Sequence, residues 1–273
     1  MNTRKIWDFN ASFAPVRLIW SRRDLLLSTV KVALRQRYAG ATLGMAWVIL
    51  GPFLLLALYS AIYLIVFRVR PANMDPEIYV LYIFTGLVPF MSFSQGLVQG
   101  TAALSADRDI LLNTVFPAEL VPLREVAVSV ATLGAGLAII AVLAIILGRF
   151  SPVWLLVPLV VALLLMFLTG IVWVLSLANL VLKDIQQILT YVTLVLMVAS
   201  PIAYTPDMLP ASLNVLIYFN PLAYFIICMQ SIIVLGTLPA WPIWVGMVVM
   251  SLGSFFAGAW IFNRAKTALF DYA

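Results

Sequence analysis

Apolar positions in this chain come in long unbroken blocks, with polar residues gathered between them. Seven blocks approach or exceed the roughly 20 residues that a helix needs to cross a 30 Å hydrocarbon core. They are Met45–Phe67, Ile78–Gly100, Val126–Leu147, Trp154–Leu182, Ile185–Tyr204, Leu213–Leu238 and Trp241–Phe262. Transmembrane β-strands would alternate, so the continuity of the blocks excludes a barrel. Leu213–Leu238 differs from the rest: Asn220-Pro221 interrupts it, Pro201, Pro206 and Pro210 precede it, and it holds Asn214, Gln230 and Ser231. Proline lacks the helix donor and pushes its predecessor out of the helical region. The pattern therefore predicts an all-α integral membrane protein with six spans, at about 45–67, 78–100, 118–147, 153–182, 185–204 and 241–262. Residues 205–238 are expected to form short re-entrant helices between the fifth and sixth spans. Irregular backbone at membrane depth survives only beside protein or a water-filled cavity, so these pieces should line or cap a pathway. A seventh crossing, with the C-terminus outside, is the alternative.

Residues 1–44 form an N-terminal tail with its own pattern. On a helix starting near Arg22, Asp24, Ser28, Lys31 and Arg35 share one face, while Leu25, Leu26, Val30, Val32 and Ala33 lie opposite. That is a basic amphipathic helix suited to a membrane interface, either as an anchor or as a docking surface. Residues 263–273 form a short C-terminal tail.

Composition makes the membrane unavoidable. Of 273 residues 64% are hydrophobic and 10% charged, against about 25% charged in soluble domains. One core cannot hide that surplus. The net charge of +5 forms no basic groove interleaved with aromatics, which argues against nucleic acid. Eight of the sixteen Lys and Arg lie in the first 37 residues, ahead of the first span, which orients the N-terminus to the cytoplasm. Alternating from there, the cytoplasmic side collects thirteen basic residues and the outside keeps Arg68, Arg70 and Arg149. Both termini are then cytoplasmic, in a bacterial inner membrane. The first apolar block starts too late for a cleavable signal and is expected to remain as an anchor.

Candidate chemistry is sparse. The chain has no His and one cysteine, Cys228, which removes the commonest general base, a disulfide within the chain and a thiolate metal cluster. It has no GxxxxGK[ST] phosphate loop and no HExxH. The nearest acidic cluster, Asp107-Arg108-Asp109, contains its own countercharge, and Arg124 with Glu125 can pair locally at a span entrance. Ion-coupled transporters use ionisable groups in mid-membrane, which these spans lack. A membrane enzyme would want paired acids or a nucleophile with its base. The segment SADRDILLNTVFPAELVP, from Ser105 to Pro122, reads as a short cytoplasmic turn or helix broken by proline. Aromatics total 34, most near span ends as interfacial belts; Tyr59, Tyr63 and Tyr191 fall within spans and are candidate channel-lining residues for a sliding sugar chain. Gly96 with Gly100, and Gly134 with Ala138, offer close helix packing.

Order adds what composition cannot. The run RRDLLLSTVKVALRQRYAGATLGMAWVILGP resembles the start of permeases of the type-2 ATP-binding-cassette exporter family, through Arg23-Asp24, Arg35, Arg37-Tyr38, Leu43-Gly44, Trp47 and Pro52. Ala41 stands where a small hydroxyl residue is usual, with Thr42 next to it. Phe116-Pro117-Ala118-Glu119 with Pro122, Lys183-Asp184, Ser200-Pro201-Ile202-Ala203-Tyr204 and Asn220-Pro221-Leu222 are similar to later signatures of that family, in order. The nearest likeness is to its polysaccharide branch, the O-antigen, capsule and teichoic-acid export permeases. The resemblance implies a non-catalytic subunit that works as a homodimer with two copies of a separate ATPase. ATP and Mg would sit on that partner, with no cofactor in this chain, and a lipid-linked glycan would move outward. It also implies roles. Arg23, Asp24, Lys31, Arg35, Arg37 and Tyr38 would belong to an interface helix. Asp107, Arg108, Asp109, Ile110, Asn113 and Phe116 would lie in a gate and ATPase-coupling region at 103–116. Tyr204, Pro210, Asn220 and Pro221 would belong to an outer gate. A drug or lipid as cargo of the same machine, or an ion-coupled flippase, are the competing readings.

Overall fold

The computed structural model describes residues 14–66, 74–108, 111, 116–208, 210, 212 and 214–271. Among them ten α-helices and no strands are found. In chain order these are α1 (Ala14–Ser21), α2 (Arg23–Arg37), α3 (Trp47–Ala61), α4 (Pro76–Ala106), α5 (Leu120–Ile146), α6 (Val157–Val181), α7 (Ile185–Ala199), α8 (Asn214–Phe219), α9 (Pro221–Gln230) and α10 (Trp241–Asp271). Among the described residues five helical stretches are long and apolar enough to cross a membrane: Gly44–Ala61, Pro76–Ala106, Leu120–Ile146, Pro152–Val181 and Trp241–Ala265. The fold is that of an integral membrane protein.

Local chemistry sets the helix ends. Asp75 is extended (φ −66°, ψ 150°) and Pro76 opens α4, where its missing N–H would have had no helical partner. Ser151 and Asn220 cap the turns after them, each accepting from the backbone N–H two residues on, with Pro152 and Pro221 next in line. Gly148, at φ 66°, ends α5 while Arg149 N–H closes on Ala144 O at 2.8 Å, the left-handed stop that glycine permits. α7 stops at Ala199 because Ser200 precedes Pro201 and is held extended at ψ 142°. Its 15 residues rise only about 22 Å, so the span expected over 185–204 is helical for its first part alone. α10 instead runs past residue 262 to Asp271.

α4 is the central post, with Tyr79, Leu81, Ile83, Phe84 and Leu87 fully buried. Phe93 stacks on Phe167 of α6 at 6.0 Å and Phe167 on Phe225 of α9 at 5.6 Å, a ring ladder through the core. Small residues allow the closest approaches. A methyl on Gly96 would fall 3.0 Å from Ser129 Oγ of α5 and 2.7 Å from Leu168 of α6. α6 and α10 meet backbone to backbone where Gly170 faces Ser254 and Gly258. Gly134, expected to pack with Ala138, has open space around it, and Gly136 takes the close contact, against Val88. Between helices in lipid, hydroxyls and amides act as further ties: Ser92 Oγ donates to Ser129 O at 3.0 Å and Thr132 Oγ1 to Gln95 Oε1 at 2.9 Å.

Candidate functional site

Functional candidates fall at opposite ends of the bundle. One end gathers charge. Arg124, on the second turn of α5, spreads its guanidinium between two carboxylates: Nη1 meets Asp107 at 2.8 Å, while Nη2 and Nε meet Glu125 Oε1 at 2.9 Å. Glu125 Oε2 lies 3.8 Å from Arg37 Nη2, at the end of α2. Arg37, Glu125, Arg124 and Asp107 thus link the amphipathic helix, the start of α5 and the end of α4. All four side chains are about four-fifths buried or more, which gives such a network more weight than a surface pair. The expectation that the acidic triplet holds its own countercharge is corrected for Asp107. Its partner is Arg124, brought close by the return of the chain into α5.

Other side chains brace this end. Trp173 Nε1 donates to Glu119 O at 3.1 Å, and Asn179 Nδ2 to Ser105 Oγ at 3.1 Å. Phe116 packs on a separate cluster that includes Ala103, Trp173 and Phe262. Arg108 is exposed. Asp109, Ile110 and Asn113 lie outside the described residues.

Along α2, Leu25, Leu26, Thr29, Val30, Ala33, Leu34 and Arg37 are half-buried, whereas Asp24, Lys31 and Arg35 face outward. Val32, expected on the apolar face, is instead 53% exposed, because the covered stripe advances in steps of four and misses it. Arg23 is exposed, pairs loosely with Asp24 at 3.9 Å and lies 5.1 Å over the Trp20 ring. Tyr38 is half-buried and ends the helix.

The opposite end centres on the non-helical stretch after α7. Every carbonyl from Ala199 to Tyr204 has a donor. Tyr204 OH serves Ala199 O at 2.7 Å, and Ile202 N–H closes on Ser200 O at 2.7 Å. Gln230 Nε2 serves Pro201 O at 3.0 Å and Ile202 O at 3.4 Å. Tyr79 OH serves Ala203 O at 2.6 Å, and Tyr82 OH lies 3.5 Å from Tyr204 O. Asn220 Nδ2 donates to Ser200 Oγ at 2.9 Å while its Oδ1 caps α9. An unwound segment can stand inside a membrane only with such satisfaction. Tyr204, Asn220 and Pro221 are therefore brought together, whereas Pro210 is exposed on the adjoining loop. The broken pattern pointed to this region, but the part played by Gln230 was missed. An amide deep in an apolar block was the signal that could have found it.

The candidate aromatics separate. Tyr59 and Tyr63 stack at 6.1 Å, and Tyr59 OH reaches Met197 Sδ of α7 at 3.3 Å. Tyr191 is 69% exposed on another face of α7, beside Ile188, Val192 and Val195 around an apolar hollow.

The chain is thus a bundle of apolar helices, unwound at one end and braced by charge at the other. The family model for the ABC-2 type transporter matches residues 25–234, and the chain belongs to that family. It is 27% identical over 255 residues to the O-antigen export system permease protein RfbA of Myxococcus xanthus, covering 92% of this chain and 96% of that protein. Two Klebsiella pneumoniae proteins of the same name are each 28% identical over 218 and 217 residues, 79% of this chain and 82% of theirs.

Proposed function

We propose that this chain is the permease subunit of an ATP-driven exporter that moves a lipid-linked polysaccharide outward across the bacterial inner membrane. The carrying observation is the likeness to O-antigen export permeases along nearly the full length of both chains. Six crossings place both termini in the cytoplasm, with the unwound stretch from Ser200 to Tyr204 completing the fifth. The charged end is cytoplasmic, in keeping with the positive-inside rule. Residues 205–235 cap the outer end as a gate.

Two copies work with two ATPase subunits, which hold the ATP and Mg. The apolar faces of α3 and α7, including Phe53, Leu58, Tyr191 and Val195, are exposed on the single chain. Lipid or a second copy would cover them, and Tyr59 reaches from α3 to Met197 of α7 with Tyr63 stacked on it. Residues 103–116 and α2 receive the motor's movement, and the Arg37–Glu125–Arg124–Asp107 network keeps the two receiving elements in register.

Deleting the chain should cause lipid-linked glycan to accumulate on the cytoplasmic side, and an ATPase should copurify with the tagged chain in mild detergent. Absence of glycan build-up, with loss of a drug or lipid efflux instead, would replace the cargo. Transport abolished by collapsing the proton gradient while ATP persists would replace the mechanism.

A further inference from the structure

The outward side of α10 carries an apolar stripe of Val245, Val249 and Leu252, bounded by Trp241 and Trp260, all exposed. The two indoles stand 19 positions apart, about 28 Å along a helix, against the ~30 Å of a hydrocarbon core. Trp260 therefore marks the headgroup level at the charged end of the bundle. One turn on, the Arg264 guanidinium lies 4.4 Å over its ring. A second pair of this kind stands at the same level. Ile19 of α1 packs on the cluster that contains Phe255, Ala259 and Phe262, which sets α1 beside the last turns of α10. Its neighbour Trp20 is exposed, with the Arg23 guanidinium 5.1 Å over the ring.

A guanidinium stacked on an indole spends its face and keeps its N–H edge in plane for phosphate oxygens. Arg23 meets Asp24 at a loose 3.9 Å, beside a carboxylate that is itself exposed. Along α1 and α2, Arg17, Arg22, Arg23, Lys31 and Arg35 are exposed against one exposed acid, Asp24. The half-buried apolar stripe of α2 packs on α5, so the face turned outward is the one with Trp20, Leu27 and the cations. Water would strand the apolar groups and hydrocarbon would strand the charges; a headgroup layer suits both. We propose that the two Trp–Arg pairs form a docking surface for acidic phospholipid headgroups, with Trp20 and Trp260 at the acyl boundary and Arg23 and Arg264 on the phosphates. The leaflet is the cytoplasmic one on the orientation proposed above. The surface itself depends on neither that orientation nor the cargo.

The test places the full chain in nanodiscs of phosphatidylethanolamine with about 20% phosphatidylglycerol as the acidic lipid. Photoreactive benzoylphenylalanine replaces Leu27 or Ile261, both exposed beside the pairs, or Val142 of α5 as a reference, and the lipid adducts are identified by mass. Phosphatidylglycerol should be enriched about fivefold at 27 and at 261 relative to 142, the effect of one cation at an anionic surface. Arg23→Gln should remove the excess at 27 and spare 261, and Arg264→Gln should do the reverse. Both arginines are exposed, so the unfolding temperature should hold. Raised salt, which screens the contact, should produce the same loss without any substitution. Phosphatidylglycerol no richer at 27 or at 261 than at 142, an excess that the variants and salt leave intact, or adducts at 27 without lipid overturns the surface. Glycan build-up in the deletion strain without lipid enrichment removes the surface and leaves export standing. Enrichment without build-up removes the export reading and keeps the surface.

Discussion

Arg124 shows how one side chain's geometry fixes its identity. Its guanidinium reaches Asp107 through Nη1 and Glu125 through Nη2 and Nε, a fork that the single ammonium of lysine cannot reproduce. Arg124→Lys keeps the charge, yet leaves one carboxylate without its partner, at about 1–3 kcal/mol for a mostly buried group. A lowered unfolding temperature in detergent, together with reduced export, is the expected result; unchanged values in both would remove the network as a brace. Asn220 offers a second case, because its oxygen caps α9 and its amide holds Ser200. Asn220→Ala should cost about 1–2 kcal/mol from the lost cap, read in the same thermal assay. Asn220→Asp should recover most of it, since the carboxylate still caps and the Ser200 hydroxyl can turn to donate. These partnerships were only partly legible from sequence. Arg124 and Glu125 are neighbours and their pairing could be read directly. Asp107 meets Arg124 only because the chain folds back between α4 and α5, which no spacing rule encodes.

Between helices, the decisive contacts come from residues with almost no side chain. Gly170 and Gly258 bring α6 and α10 together backbone to backbone, and a methyl on either must push the helices apart. Gly170→Ala and Gly258→Ala should each destabilise by about 1–3 kcal/mol, as overpacking does. Gly134→Ala and Gly253→Ala meet open space and should gain up to about 1 kcal/mol from better helix propensity. Thermal unfolding of the four variants separates the two outcomes; equal behaviour would mean that α6 and α10 yield freely. Long apolar blocks made the five long spans legible, because length and hydropathy are local properties. The ends were less so. Proline at 201 announced a break, but α7 halting at Ala199, with the next carbonyls handed to Tyr79, Tyr82 and Gln230, depends on side chains that arrive from other helices. Which small residues make contact was equally hidden: Gly134 and Gly136 differ by two positions and lie on different faces of α5.

For the whole molecule the open question is parity, and charge and geometry bear on it together. Seven crossings would put the C-terminus outside with Arg264 and Lys266, whereas the proposed six put thirteen of the sixteen basic residues in the cytoplasm and three outside. α9, with the wide turn that follows it, spans 15 residues, Pro221–Leu235, about 22 Å of rise, against the ~30 Å needed to cross. It is also preceded by a capped break at Asn220-Pro221 and ends at Gly236, whose φ of 64° turns the chain. A helix that short, entered and left by turns and packed on α4, is the geometry that the proposed re-entrant course requires. Single cysteines in a Cys228→Ala background decide the matter in intact spheroplasts with a membrane-impermeant maleimide. Positions 149 and 207 should react at once, while 108, 183 and 264 should react only after lysis. Reaction at 264 in intact cells, with 108 and 183 still protected, would establish the seventh crossing and leave residues 205–238 without a gate to form.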